Sequence, residues 1–463
     1  MRTTTLLPSR VIKTLLLAGV ALSSYNATHA ESSKTVDLYR IPDATPEQLE
    51  MIPKNLARWH MGATLVLTKD EQFQRIQVPD VGYFDESVFL SDNSALTYNI
   101  EEGSHDYIID LGQFMRVSRF FLNNQSAGGT FELLSSDTLE ELDSRFWVKL
   151  SDQVAFEKGV IPSVTFPEVE TRYILVRFNI NSAGTIGNFG ATGPLKITQA
   201  EFNLGKGETE EDVIQAQSPV IDYDFASGYT GSRIAYVSGG DLDTILNLID
   251  EDTTTSYAFP STEECIIIVD MRKETEMRTF VANYTSQVSG LVQIYMVDQL
   301  PNYFENPEQI DVATTRDAAG NVTRAELAAN GEFHYLLAAT EPREIVRVSE
   351  EYFLSIEDSY QARVSADEDR YLQLFDNLER RYLIFRFIPQ ALEQGADIQT
   401  AVYRPDSSDY KAQPAQSTGI SFSQIEVIGD VKFDDLFFTM ESEGGEPGGP
   451  PEDPPDDPPV ISQ

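Results

Sequence analysis

The chain has 463 residues, with 74 Asp and Glu against 34 Lys and Arg, for a formal net charge of −40. That length accommodates two or three domains, and an apolar content of 41% is that of a folded protein rather than a disordered one. The charge excludes two partner classes, because nucleic acid is met by stripes of Lys and Arg and an anionic membrane surface repels so acidic a chain. Cations and neutral ligands remain favoured.

The N-terminus has the pattern of a secretory signal. Arg2, Arg10 and Lys13 precede the short apolar run TLLLAGVALSS, and ATHA supplies small residues for cleavage after Ala30. The run is too short for a comfortable membrane span. Residues 31–50 are polar and read as a loosely held lead-in. From 51 to 205, short apolar runs (ATLVL, YIIDL, VSRFFL, TFELL, RYILVRFNI, ITQAEFNL) alternate with Gly, Asn, Asp and Ser clusters. That is the signature of an antiparallel β-sandwich. Only DTLEELDSRF has a helical period. A charged linker is expected at 206–218, and a second β-rich region at 219–430, lengthened by an insertion near 311–369 with short helices or an extra hairpin. Residues 441–463 are dominated by Pro, Gly and acids and cannot bury a core. The single cysteine, Cys265, lies in the apolar run CIIIVDM, so no intrachain disulfide is available and stability has to come from core burial or bound metal.

The two β regions parallel one another in order. YIIDLGQFMRVSRFFLNN matches IIIVDMRKETEMRTFVANY, FELLSSDTLEELDSRFW matches VQIYMVDQLPNYFENP, RYILVRFNI matches RYLIFRFIP, and KITQAEFNLG matches SFSQIEVIG. Together with NLARWHMGATL at Asn55, the acidic segment LIDEDTTTSY (Leu248–Tyr257) and DLG at Asp110–Gly112, these blocks resemble the discoidin domain, also called the coagulation factor five/eight type C domain. It belongs to the galactose-binding-like sandwiches, which include many carbohydrate-binding modules. The resemblance implies an all-β chain of two tandem antiparallel jelly-roll-like sandwiches, with a structural calcium beneath the ligand-binding loops.

Calcium takes six to eight hard oxygens. In the second half Asp250, Asp252 and Thr255 offer several, and the resemblance implies that Glu426 returns from the closing strand to complete the cage. Glu251 departs from the family's glycine and is penalised if the loop needs a positive φ. An Asx-turn with only hydrogen-bonding duties is the alternative. The first-half counterparts are Asp92, Thr97 and Glu201, with Ser94 replacing one carboxylate. For a ligand surface, the aromatic and donor side chains Trp59, His60 and Arg58 in the first half and Tyr229 and Arg233 in the second are the candidates, with core or rim packing as the plainer alternative. After signal removal only His60, His105 and His334 remain as histidines, and none lies in HExxH; neither GxSxG nor a P-loop occurs. No catalytic residue is assigned. The expected function is secreted, non-catalytic recognition of an extracellular carbohydrate. An adhesion or assembly protein binding a protein partner is the alternative, and a glycan-active enzyme comes third.

Overall fold

The computed structural model describes residues 35–45, 48, 53–69, 72–76, 85–193, 220–240, 242–259, 264–286, 288–316, 322–324, 339–366, 368–390 and 420–432. It is built almost entirely of antiparallel strands in two sheets, each curled around its own core. The expected all-β pair of sandwiches is therefore what the chain forms.

The first sheet hangs on one long strand, Gly103–Asn124, into which the runs YIIDL and VSRFFL merge. Its first part pairs with Thr64–Lys69 and its last part with Gly184–Gly193, while Ser163–Ser182 accompanies it throughout. Because its two ends have different neighbours, the sheet folds over and closes on Phe89, Phe120, Phe131, Phe178 and Phe189. The bend is a bulge: Tyr173 faces Asp110 and Thr171 faces Met115, leaving the segment 111–114 opposite Arg172. Asp110 closes it, accepting the Gly112 amide at 3.0 Å and the Arg172 guanidinium at 2.9 and 3.2 Å.

The second sheet repeats this device at Cys265–Ser286. Asp270 faces Tyr382, Thr275 faces Arg380, and 271–274 bulge opposite Arg381. Asp270 accepts the Arg272 amide at 2.9 Å and Arg381 at 2.9 and 3.2 Å. The left-handed residue at each bulge is Gly112 (φ 78°) in one sheet and Arg272 (φ 65°) in the other. A glycine is therefore preferred there but not required. A second left-handed pair, Gly62 (φ 82°) and Gly231 (φ 81°), ends the 3-10 turns Trp59–Met61 and Gly228–Thr230.

Three expectations are corrected. The stretch read as a loose lead-in contains the strand Thr35–Arg40, which lies between Arg233–Val237 and Ala339–Ser349 of the second sheet. Its alternation explains this: Leu38 is buried in the second sandwich's outer layer and Tyr39 in its inner core. Arg40 pairs with Glu344 at 3.1 Å. The run DTLEELDSRF forms turns, not a helix, and Glu140 and Glu141 spend their carbonyls on the Trp147 indole N–H. The strand filling the place of Ile420–Lys432 in the first sandwich is Gly184–Gly193, not the KITQAEFNLG segment. That segment and the linker lie outside the described residues, as does most of AELAANGEFHYLLAA. The insertion does supply an extra hairpin, Glu308–Arg316 with Ala339–Ser349, followed by the short helix Glu350–Leu354.

Candidate functional site

The strand Val220–Asp224 joins the two bodies. It pairs with Ile420–Lys432, yet Ile221 and Tyr223 are packed into the first sandwich's core. At this junction the acidic loop of the second half meets its counterpart in the first.

The second-half loop follows the 3-10 turn Leu242–Leu248, which is pinned by buried Ile245, Leu248 and Ile249. Glu251 has φ 58°, so the loop does need the left-handed conformation that its glutamate disfavours. Asp250 is engaged within the loop, accepting from the Asp252 amide at 3.0 Å and the Thr255 hydroxyl at 2.9 Å. Burial pushes its carboxyl up to about 8. Asp252 accepts from the Thr254 amide at 2.9 Å and from both terminal nitrogens of Arg119, which comes from the first sandwich. A guanidinium thus stands where a cation was expected.

Glu426 lies on the closing strand opposite Val281, fully buried. One oxygen accepts the Ser94 amide at 3.0 Å, across the junction, and its Oε1 has no partner. Beside it is Asp224, 1% exposed, whose Oδ1 accepts the Ala226 and Val427 amides at 2.9 and 2.8 Å while Oδ2 has none. In the first sandwich Asn55 does the same work, accepting from Ala57 and Ala191 at 3.2 and 3.1 Å, and its amide donates to the Phe189 carbonyl at 3.4 Å. Where that neutral donor stood, the second half has a carboxyl. Burial, then the neighbouring Glu426, holds Asp224 well above its ordinary value, and burial takes Glu426 up to about 7. Glu251 is raised by burial and by Asp92.

The matching position in the first half is Gly190. It faces Phe121 as Glu426 faces Val281, and Phe121 and Val281 stand the same distance along the chain from Asp110 and Asp270. A Cβ there would run into the Phe121 ring, so the first half has no closing carboxylate at this register. Glu201 lies outside the described residues. Asp92 is spent on protein cations: the Arg58 Nε lies 3.4 Å from one oxygen, and His60 Nδ1 lies 3.0 and 2.8 Å from the two. Burial opposes the charged imidazole, but Asp92 outweighs it and His60 is raised. Thr97 sits half-buried just before the Tyr98–Ile100 strand.

The first-half ligand candidates are therefore corrected. Trp59 is a core residue whose indole donates to the Ser87 carbonyl at 3.0 Å. Arg58 and His60 are buried in the junction, where the imidazole meets Tyr223 edge-on at 5.3 Å. None of the three faces solvent: Trp59 is enclosed by its own core, and Arg58 and His60 by the junction. Arg233 bridges Asp43 and Asp270, the latter at 3.4 Å. Tyr229 lies in the turn Gly228–Thr230.

No protein-family model matches the chain, and no curated protein sequence matches significantly. Solved structures do show likenesses. A chitosan-binding module from a Paenibacillus sp. IK-5 chitosanase/glucanase is 18% identical, with a TM-score of 0.23, covering 30% of this chain and 99% of its own. A Clostridium perfringens CBM32 module from a GH89 protein, solved with GalNAc-β-1,3-galactose, is 14% identical (TM-score 0.23; 30% and 100%). A Ruminococcus gnavus GH29 fucosidase with fucose is 14% identical (TM-score 0.23; 31% and 27%).

Among the described residues, no group of three or more His, Cys, Asp or Glu is gathered so as to hold a metal ion. In the second-half loop, Asp250 and Asp252 accept from protein donors and the Thr255 hydroxyl donates to Asp250. Among the described residues, the buried carboxylate oxygens left without a hydrogen-bond partner are Glu426 Oε1, Asp224 Oδ2 and both oxygens of Glu251. Sequence reading missed Asp224 and Arg119, and took Ser94 only as a replaced carboxylate rather than as the partner of Glu426. Asp224 was within reach: DFASGYTG parallels NLARWHMG, ending on the same left-handed glycine.

Proposed function

We propose that this chain is a secreted, non-catalytic binding protein whose two discoidin-like modules recognise an extracellular carbohydrate. The observation carrying the reading is the repeated sandwich plan, in which one bulge, closed by one Asp–Arg pair, recurs at matching registers. This is the plan that the sequence resemblance implies. The perturbed carboxyls favour binding over catalysis because they are enclosed between the modules, where Glu426 is 0% exposed and out of a substrate's reach. Calcium enters the proposal at one place, beside Glu426 and Asp224, whose free oxygens are the donor type it takes; backbone carbonyls and water commonly complete such a shell. An ion there would neutralise two buried carboxylates and tie the modules together.

The test is retention of the purified protein on a panel of immobilised polysaccharides, with melts in calcium and in chelator run alongside. Binding to at least one sugar is expected. Failure on every sugar, with specific capture of an envelope protein, would replace this reading with the adhesion alternative. Identical melts in calcium and chelator would remove the ion.

A further inference from the structure

Each sandwich has an outer apolar patch as well as its inner core, and in each patch one buried aromatic side chain comes from the loop that follows Gly128–Ser136 or Gly290–Val297. Trp147 sits with Val66, Ile108 and Leu175. Phe304 sits with Tyr236, Ile268 and Ile384. The seats are equivalent: Val66 and Leu175 flank Ile108 on its two neighbouring strands, as Tyr236 and Ile384 flank Ile268. In both cases the preceding residue is also aromatic and points outward. Phe146 is 55% exposed where Trp147 is 7%, and Tyr303 is 42% exposed where Phe304 is 2%.

A single exposed aromatic ring is unremarkable, but the same pair of consecutive rings, one seated and one presented, occurs at the same place in both modules. The presented rings are also oriented. The Arg145 guanidinium lies 5.4 Å from the Phe146 centroid, and Tyr303 stacks on Phe304 at 5.0 Å with Tyr352 edge-on at 6.4 Å. Exposed polar residues adjoin each ring in sequence, Arg145 at the first and Asn302 at the second. A fixed ring with hydrogen-bonding groups at its rim suits the apolar C–H face and hydroxyl edge of a pyranose.

We propose that Phe146 and Tyr303 are the stacking platforms on which the two modules hold a carbohydrate polymer, a proposal that rests on the carbohydrate-binding reading above. The net charge of −40 selects against polymers bearing carboxylates, so the ligand class is a neutral or amino-sugar polysaccharide. Two platforms on one chain add avidity wherever both reach the same polymer.

The experiment is affinity electrophoresis of the full chain in gels containing a soluble β-glucan, a galactan or chitosan, with polygalacturonate as the anionic control. Phe146→Ala and Tyr303→Ala should each weaken retardation about tenfold and the double variant should abolish it, with the melting temperature unchanged for Phe146→Ala and lowered by only a few degrees for Tyr303→Ala, which gives up its contacts with Phe304 and Tyr352. Phe114→Ala, an exposed ring elsewhere on the first module, should behave as wild type. Wild-type binding that survives the double substitution overturns the platforms and leaves the carbohydrate reading standing. Equal weakening by Phe114→Ala overturns them as non-specific adsorption. No retardation of the wild type in any gel removes both.

Discussion

Replacing Glu426 with glutamine tests the junction most directly. The carboxyl is buried and its titration lies near 7, against 4.5 for the free side chain. A raised carboxyl pKa means that the folded state keeps its proton while the unfolded chain has lost it. The associated stability is fully present below about pH 4.5 and is lost as pH rises through about 7. Two and a half units correspond to about 3 kcal/mol, shared with the neighbouring Asp224. Glutamine keeps the acceptor for the Ser94 amide, cannot ionise, and presents an N–H toward Asp224. In chelator, the variant and wild type should melt together near pH 4 and diverge by about 6–12 °C near pH 8, with the variant higher. Added calcium should narrow the gap by rewarding ionisation of the wild-type carboxyl. Parallel melting curves across the whole range in chelator would refute the claim that a proton is held at this junction.

Asp224→Asn restores the donor that Asn55 provides in the first sandwich and should stabilise the protein by about 1–2 kcal/mol at neutral pH, measured by denaturant unfolding. Arg119→Ala leaves Asp252 buried without its guanidinium and should cost about 3–5 kcal/mol; adding Asp252→Asn should recover part of the loss, as a double-mutant cycle would show. Leu38→Ala empties a fully buried position in the strand Thr35–Arg40. It should cost about 2–5 kcal/mol and speed amide exchange in Ala339–Ser349, which that strand links to the rest of the sheet.

Strand content was legible because period-two apolar runs report a half-buried pleat wherever they occur. RYILVRFNI and RYLIFRFIP are near-continuous for the reason the structure gives: Ile174 to Phe178 and Leu383 to Phe387 have an inner core on one side and an aromatic plug on the other. The candidate site was half legible. Asp92 and Asp250 take partners from their own halves, but Asp252 and Glu426 also take partners from the other sandwich. Arg119 reaches Asp252 and Ser94 reaches Glu426 over 133 and 332 residues of separation. No local pattern records such pairings.

Local chemistry, written in each run of residues, determined that this chain is β, that it says the same thing twice, and where acids and turns fall. Only tertiary structure decided that Thr35–Arg40 belongs to the far sandwich, that Gly184–Gly193 closes the near one, and that Trp59 and His60 are covered. Alternation specifies which face of a strand is apolar but not which strand lies beside it; that choice is made by the total area buried when two sheets and their junction close together.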